Sequence, residues 1–408
     1  MAIIYQLFIH LFGFLTNLYA LFNDKARLMT KGRKQTWRIL KQKISEADKV
    51  IWVHCASLGE FEQGRVLIET LKKEYETYKI LLSFYSSSGY EIRKNYQYAD
   101  CVVYLPNDTR RNAKRFIRIA NPQISIFIKY EFWYNYITAL AGKKVYQVSL
   151  ILRENHYLWK WYSGWFRQKL GTFTHFFVQN EQTAALLHSI GYNNCSLCGD
   201  TRFDRVKQIA ESTIEIPLIE QWRGEEKILI LGSSWEEDEK ILYQSNLCKR
   251  MKIILVPHQV DSIHISYLRN LFPQSLLYTE LSKENINKTN NNIIIVNIIG
   301  ILSSLYRYCY YAYIGGGFGK GIHNVLEAAC FGRPTCFGPN YKKFKEAIHL
   351  INFNGAAAIS SSKELEFFIN NLSSKEKYEE ASNACLKYVL QNTGASKTIF
   401  DHLKANAL

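Results

Sequence analysis

The residues best placed to do chemistry begin at Ser57-Leu58-Gly59-Glu60. They lie behind the β-branched run Val50-Ile51-Trp52-Val53 and ahead of Arg65-Val66-Leu67-Ile68-Glu69-Thr70-Leu71, whose apolar positions recur at helical spacing. Strand, tight loop and helix in that order put Glu60 in the loop or first helical turn, at the carboxyl end of a strand, where open α/β sheets bind ligands. A carboxylate there can take a proton from a substrate hydroxyl. It can equally complement the positive end of the helix. Gly59 leaves space for a substrate or another loop to approach the backbone.

A second constellation is Gly315-Gly316-Gly317-Phe318-Gly319-Lys320-Gly321, after the strand pattern at 310–314 and before a helix predicted over 323–329. Amides of Gly315, Gly316 and Gly317 can face a phosphate at a helix N-terminus. This is not a Walker loop, because no Gly-Lys-Ser/Thr ends it, and the dinucleotide spacing is imperfect. Asn324 and Glu327 are one turn apart on one predicted helix face. The Glu327 carboxylate can accept two ribose hydroxyls, or be an ordinary first-turn acid.

Elements able to position such groups recur along the chain. With 408 residues, two domains are expected. β-type runs at 50–53, 78–84, 101–104, 124–128, 144–148, 173–178 and 195–198 alternate with helix-type patterns, and a second series occupies 227–231, 251–256, 292–296, 310–314 and 334–337. The alternation predicts an α/β fold of two Rossmann-like domains, each a parallel sheet covered by helices. The predicted division is an N-terminal helix at 1–24, a first domain at 25–210 and a second at 211–408 that includes the terminal helices. Residues 211–224 form the expected hinge, and the Asn-rich piece at 285–292 reads as a polar loop.

Lys and Arg number 51 against 36 Asp and Glu, a formal charge of +15, which favours anionic partners. Hydrophobic residues make up 47%, which supports globular domains. The nine cysteines are scattered among apolar runs and read as free thiols of a reducing compartment. Cys195-x-x-Cys198 lacks a second pair that would complete a zinc site.

Residues 2–22 are apolar and aromatic but broken by Gln6, His10, Thr16 and Asn17, a marginal span or an interfacial helix. The basic cluster Lys25, Arg27, Lys31, Arg33 and Lys34 follows and would keep the body of the protein cytoplasmic. Arg110, Arg111, Lys114, Arg115 and Arg118 form a basic helix face. Tyr157, Trp159, Trp161, Tyr162, Trp165 and Phe166 interleave with Lys160, Arg167 and Lys169, a mixture that suits either a headgroup boundary or a domain core. The same residue types serve nucleic-acid binding, but no RNP-like, zinc-finger or recognition-helix pattern accompanies them, and no nucleic-acid partner is expected.

Across the chain, Ser57-Leu58-Gly59-Glu60, Tyr130-Glu131-Phe132-Trp133, Gln179-Asn180-Glu181, Gly199-Asp200-Thr201-Arg202-Phe203-Asp204, Gly232-Ser233-Ser234 with Glu236-Glu237, Val256-Pro257-His258 and the glycine loop with its His-Asn and Leu-Glu-Ala-Ala occur in order. Together with Gly332-Arg333-Pro334 and Phe337-Gly338-Pro339-Asn340, this series resembles the Kdo (3-deoxy-D-manno-octulosonic acid) transferases. That resemblance implies a GT-B fold and transfer of Kdo from CMP-Kdo to the lipid A precursor at the cytoplasmic face of the inner membrane. It implies Glu60 as catalytic base, with Glu131 and Arg202 associated with the transition state.

The resemblance places CMP contacts on Pro257, His258, Ile299, Gly300, Ile301, Asn324, Val325, Leu326 and Glu327. Further donor or phosphate contacts are expected at Ser57, Gly59, Ser233, Gly315, Gly316 and Gly317. No cofactor and no metal are expected, because CMP leaves as a monophosphate and no Asp-x-Asp triple is present. Partners would be CMP-Kdo, the lipid acceptor and anionic membrane lipid. Rival expectations are another GT-B enzyme using a UDP-sugar on a membrane lipid, or a non-catalytic membrane-bound nucleotide-sugar binder. Three departures from the family pattern stand out: His258 for an arginine, Lys129 for a second acid, and Tyr134 for a proline. At His258 a permanent charge becomes a pH-dependent one.

Overall fold

A computed structural model describes residues 1–212, 214–284, 286 and 292–408. Most of the Asn-rich stretch read as a loop at 285–292 lies outside the described residues. The chain forms two compact units, Met1–Arg205 with Thr393–Leu408, and Val206–Asn392.

In the first unit the strands are β1 (Lys49–Cys55), β2 (Tyr78–Phe84), β3 (Cys101–Tyr104), β4 (Ile124–Ile128), β5 (Lys144–Leu150), β6 (His175–Val178) and β7 (Cys195–Leu197). They pair in parallel in the order β3-β2-β1-β4-β5-β6-β7. The order reverses beside β1, and β1 and β4 are neighbours across that switch point, where open sheets leave a crevice at their carboxyl ends.

Second-unit strands are β8 (Ile228–Ser234), β9 (Lys252–Pro257), β10 (Leu276–Leu277), β11 (Ile293–Ile295), β12 (Tyr311–Ile314), β13 (Thr335–Phe337) and β14 (Ala356–Ala358). Their order is β10-β11-β9-β8-β12-β13-β14, again all parallel.

Sheets covered on both faces need strands apolar throughout rather than alternating, and β1 obeys this. Ile51 and Val53 pack on Phe61, Leu67 and Ile68 of one face. Trp52 faces the other way, its ring 4.9 Å from Phe116 and 5.1 Å from Phe127. The helix Leu58–Glu74 thus covers β1 while its first turn stands at the strand's end.

The domain boundaries read from sequence require correction. The last helix, Ala395–Asn406, belongs to the first unit, burying Ile399 and Leu403 in its core. Asp204 pins that helix's start, accepting the Gly394 and Ser396 N–H groups at 2.6 Å each. Helical periodicity reveals an apolar stripe but not which surface it covers. The expected hinge at 211–224 is largely a helix, Pro217–Arg223, with Ile219 and Trp222 buried.

The N-terminal helix α1 (Ala2–Tyr19) is the one helix among the described residues long and apolar enough to cross a membrane. It lies against its own unit along one stripe: Tyr5 Oη donates to Asp108 Oδ2 at 2.6 Å, Gln6 Nε2 donates to Asn135 Oδ1 at 2.6 Å, and Ile9 is buried. Ile3, Ile4, Leu7, Phe8, Leu11, Phe14 and Leu15 are exposed on the other side. Of the basic cluster after α1, Arg33 turns inward, stacking over the Tyr85 ring at 4.3 Å and donating to the Tyr85 carbonyl. The aromatic stretch divides between both expectations: Leu158 and Phe166 join the core, whereas Trp161 is 89% exposed.

Candidate active site

Glu60 is the third residue of the helix Leu58–Glu74. Its Oε2 accepts the Ser57 N–H at 3.0 Å, closing a capping arrangement over the helix start. Both sequence readings therefore meet in one side chain, which caps the helix and stands at a strand end. The group is only 8% exposed, folded back on its own loop rather than projecting freely. Burial raises its pKa to about 7, the Glu131 charge adds to the rise, and the Ser57 amide and Lys129 oppose it. Gly59 has open space where a Cβ would stand, with only Ser57 Oγ at 4.0 Å.

Glu131 follows β4, the strand beside β1, so adjacent strand ends bring the two acids together. Lys129, at the same turn, has φ +68°, a left-handed conformation that costs a non-glycine residue of order 1 kcal/mol and is held by its surroundings. Its carbonyl accepts the buried Gln147 amide. Behind the acids, Trp133 Nε1 donates to His54 Nε2 at 3.0 Å and stacks near Tyr85 with ring centres 4.5 Å apart.

Arg202 follows β7, three strands from β4, yet its segment folds back: Thr201 Oγ1 lies 2.7 Å from Ser149 Oγ at the end of β5. Ser149 also has a left-handed φ, +55°. The Arg202 guanidinium pairs with Asp200 Oδ2 at 2.7–2.8 Å, so its charge is already matched on one side.

In the second unit, Ser233 has φ +55° at the end of β8. His258 follows β9 and is exposed, its ring stacked 4.7 Å from Trp235 and 4.6 Å from His323. Trp235 Nε1 donates to His323 Nε2 at 3.1 Å. Burial and the His258 ring both lower the His323 pKa. Asn324 Nδ2 donates to Glu327 Oε1 at 3.0 Å, so the pair expected from spacing does meet. Ile299 is 84% exposed, next to Gly300 at φ +100°, with Ile301 opening the helix Leu302–Leu305. Pro257 is buried at the end of β9.

Several second-unit expectations change. The helix predicted over 323–329 is one short turn, Leu326–Ala329, with Asn324 outside it, because the Asn324 side chain takes the Leu326 N–H and starts the turn there. Val325 and Leu326 point into the core, leaving only their backbone for a ligand. The Gly315 N–H donates to Gly232 O and the Gly316 N–H to Asp238 Oδ2 at 2.8 Å, so neither amide faces outward for a phosphate. These glycines answer to packing instead: a Cβ on Gly315 would lie 2.3 Å from Ser233 O, and one on Gly317 2.5 Å from Gly338 N. Sequence reasoning passed over Trp235 and Asp238, which no motif spacing marks as partners of the glycine loop.

Residues 30–205 match the family model described as 3-deoxy-D-manno-octulosonic-acid transferase, and Glu60, Glu131 and Arg202 all fall within them. A 3-deoxy-D-manno-octulosonic acid transferase of Rickettsia bellii is 28% identical over 84% of this chain and 84% of its own. One of Haemophilus influenzae is 24% identical over 87% of this chain and 86% of its own. Over most of its length the chain is similar to the Kdo transferases. That likeness makes it a glycosyltransferase, and its Ser-Leu-Gly-Glu and Tyr-Glu-Phe-Trp loops lie within residues 30–205, which the family model covers. Among solved structures, the UDP-GlcNAc 2-epimerase from Neisseria meningitidis bound to UDP-GlcNAc has a TM-score of 0.61 at 16% identity, covering 88% of this chain and all of that one. That likeness shows the fold, two Rossmann-like domains of GT-B type.

Proposed function

We propose that this transferase moves Kdo from CMP-Kdo onto the lipid A precursor, lipid IVA, with inversion and without a metal, using Glu60 as general base. The observation that carries the reading is a buried carboxylate at a strand end whose pKa is held at about 7. A base with that pKa is half ionised at neutral pH, where general-base catalysis contributes on the order of 10² to 10⁴ in rate. Ser57 occupies Oε2, and Oε1 is assigned the proton of the acceptor's primary hydroxyl. The freed oxygen bonds to the anomeric carbon of Kdo as the bond from that carbon to the CMP phosphate oxygen breaks, and CMP departs with the electron pair.

Glu131 and Arg202 are assigned to the transition state, and Pro257, His258, residues 299–301, Asn324 and Glu327 to CMP. His258 beside His323 supplies ring N–H groups for the phosphate where family members carry an arginine. Ser57, Gly59 and Ser233, at strand ends, remain assigned as donor contacts.

The exposed apolar side of α1, Trp161 and the exposed Arg110, Arg111, Lys114 and Arg118 support contact with anionic lipid on the cytoplasmic side of the inner membrane. The test is incubation of purified protein with CMP-Kdo and lipid IVA, reading CMP release and product mass. Acceptor-dependent CMP release and a lipid heavier by Kdo are expected. Turnover only with a UDP-sugar, or none with either donor, would overturn the reading.

A further inference from the structure

One fully buried titratable side chain behind the acid pair has no part in the chemistry above: His54, in β1. Its Nδ1 lies 2.8 Å from Ser83 Oγ and 3.2 Å from Ser83 O. Its Nε2 lies 3.0 Å from Trp133 Nε1. An indole N–H can only donate, so Nε2 must present a lone pair and Nδ1 must carry the proton. Ser83 Oγ also accepts from Trp52 Nε1 at 2.8 Å, and its second lone pair is left to take the Nδ1 proton. Glu131 Oε2 stands 3.7 Å from Nε2, beyond hydrogen-bond reach and facing a lone pair.

We propose that His54 is a positioning residue for transfer: its Nδ1–H tautomer, held by Ser83, anchors the Trp133 indole and with it the Glu131 loop, and leaves the Glu131 charge unmatched on that side. The proposal rests on reading Glu60 as the base. Its consequence runs through charge. Because the indole N–H occupies Nε2, that nitrogen presents no N–H to Glu131, and Glu131 continues to favour the protonated form of Glu60.

Few other groups face the pair. Lys129 is the cation that favours ionised Glu60, the buried Cys55 thiol is pushed up and uncharged, and burial raises the Tyr85 and Tyr157 phenols. Arg33 sits over the Tyr85 ring at 4.3 Å, and the Asp108 charge adds to the rise of that phenol.

The experiment compares full-length wild type with Trp133→Phe, His54→Asn and His54→Gln. It reads kcat and KM from about pH 5.5 to 8.5 and the nitrogen shifts of ¹⁵N-labelled histidine, a range in which imidazole protonation is visible. Wild type is expected to give the Nδ1–H tautomer for His54. Trp133→Phe keeps a ring but frees Nε2; the imidazole then takes a proton opposite Glu131, the acid limb of kcat/KM moves to lower pH and kcat falls about tenfold. His54→Asn keeps a donor for Ser83 but offers nothing to Trp133, so kcat falls with both KM values unchanged. His54→Gln can present an oxygen to the indole and recovers part of the loss.

An Nε2–H tautomer in wild type, an unmoved acid limb in Trp133→Phe, or equal losses in Asn and Gln variants would overturn the proposal. If wild type transfers no Kdo, the functional reading fails on its own, and the nitrogen shifts of wild type and Trp133→Phe still decide the tautomer. Should a His54 variant not fold, Trp133→Phe carries the test.

Discussion

At the ends of β1 and β4 the first unit gathers two carboxylates in a largely buried setting and leaves their repulsion only partly matched, so that Glu60 rests near neutrality. At the ends of β8, β9 and β12 the second unit gathers three stacked rings and an Asn-Glu pair, and there the buried acid, Asp238, is spent on structure, receiving the Gly316 and Trp235 N–H groups and the Tyr313 hydroxyl. Both sheets carry left-handed non-glycine residues at these ends: Lys129 and Ser149 in the first, Ser233 in the second. Strain marks both sites, and burial raises carboxyls in both, Asp238 and Glu239 as well as Glu60; the difference is that Asp238 is held by three protein donors and Glu239 by Ser234 and His264, whereas Glu60 takes the Ser57 amide and faces Glu131. On the function proposed above, that difference fits proton chemistry in the first unit and recognition in the second.

The sharpest way to break that division is Glu60→Gln. Turnover is expected to fall by on the order of 10² to 10⁴ with CMP affinity by calorimetry unchanged. Parallel loss of CMP binding would mean the two roles are not separable by unit.

The same substitution should stabilise the fold. The folded-state pKa of Glu60, about 7, lies above its ordinary 4.5, so between those values the folded chain holds a proton that the unfolded chain has released. Stability therefore falls as pH rises through that window, and above it the ionised, buried group costs on the order of 3 kcal/mol. Glu60→Gln should melt higher than wild type at pH 8 and match it at pH 4, by calorimetry. No gain at the higher pH would remove the unbalanced charge from the account.

In the second unit the pattern should invert. Glu327→Ala is expected to weaken CMP binding by about 10- to 100-fold, as loss of hydrogen bonds to charged groups does, with kcat at saturating donor nearly unchanged. A fall in kcat with donor KM intact would put chemistry in the recognition site.

The smallest effect is expected at α1. Tyr5→Phe removes the bond to Asp108 and should cost about 1 kcal/mol of stability without altering flotation on anionic vesicles. Loss of flotation would mean that the exposed apolar side alone does not hold the membrane.

Much of this was legible in the chain. Strands such as β2 and β3 fall where their β-branched and aromatic runs predict, because a strand buried on both faces writes its own boundaries in apolar residues. β14 did not, since Ala356, Ala357 and Ala358 have no strand signature and pair only because β13 lies beside them. Glu60 was readable from its place after a strand, but its neighbours were not: His54 and Ser83 look like ordinary strand residues until β1 and β2 pair in register and align them. The glycine loop misled in the opposite sense. Its composition suggested amides open to phosphate, whereas Gly315 and Gly317 are needed for close backbone approach to Ser233 and Gly338. The terminal helix, too, showed its apolar stripe without showing that α/β packing in the first unit would receive it.

If burial and Glu131 together make Glu60 a base working at neutral pH, the pH dependence of kcat/KM for Kdo transfer in wild type and Glu131→Gln must show it. An acid limb near 7 is expected in wild type, shifting to lower pH when the neighbouring charge is removed. A wild-type limb in the ordinary carboxylate range, or one that stays in place in Glu131→Gln, would contradict it.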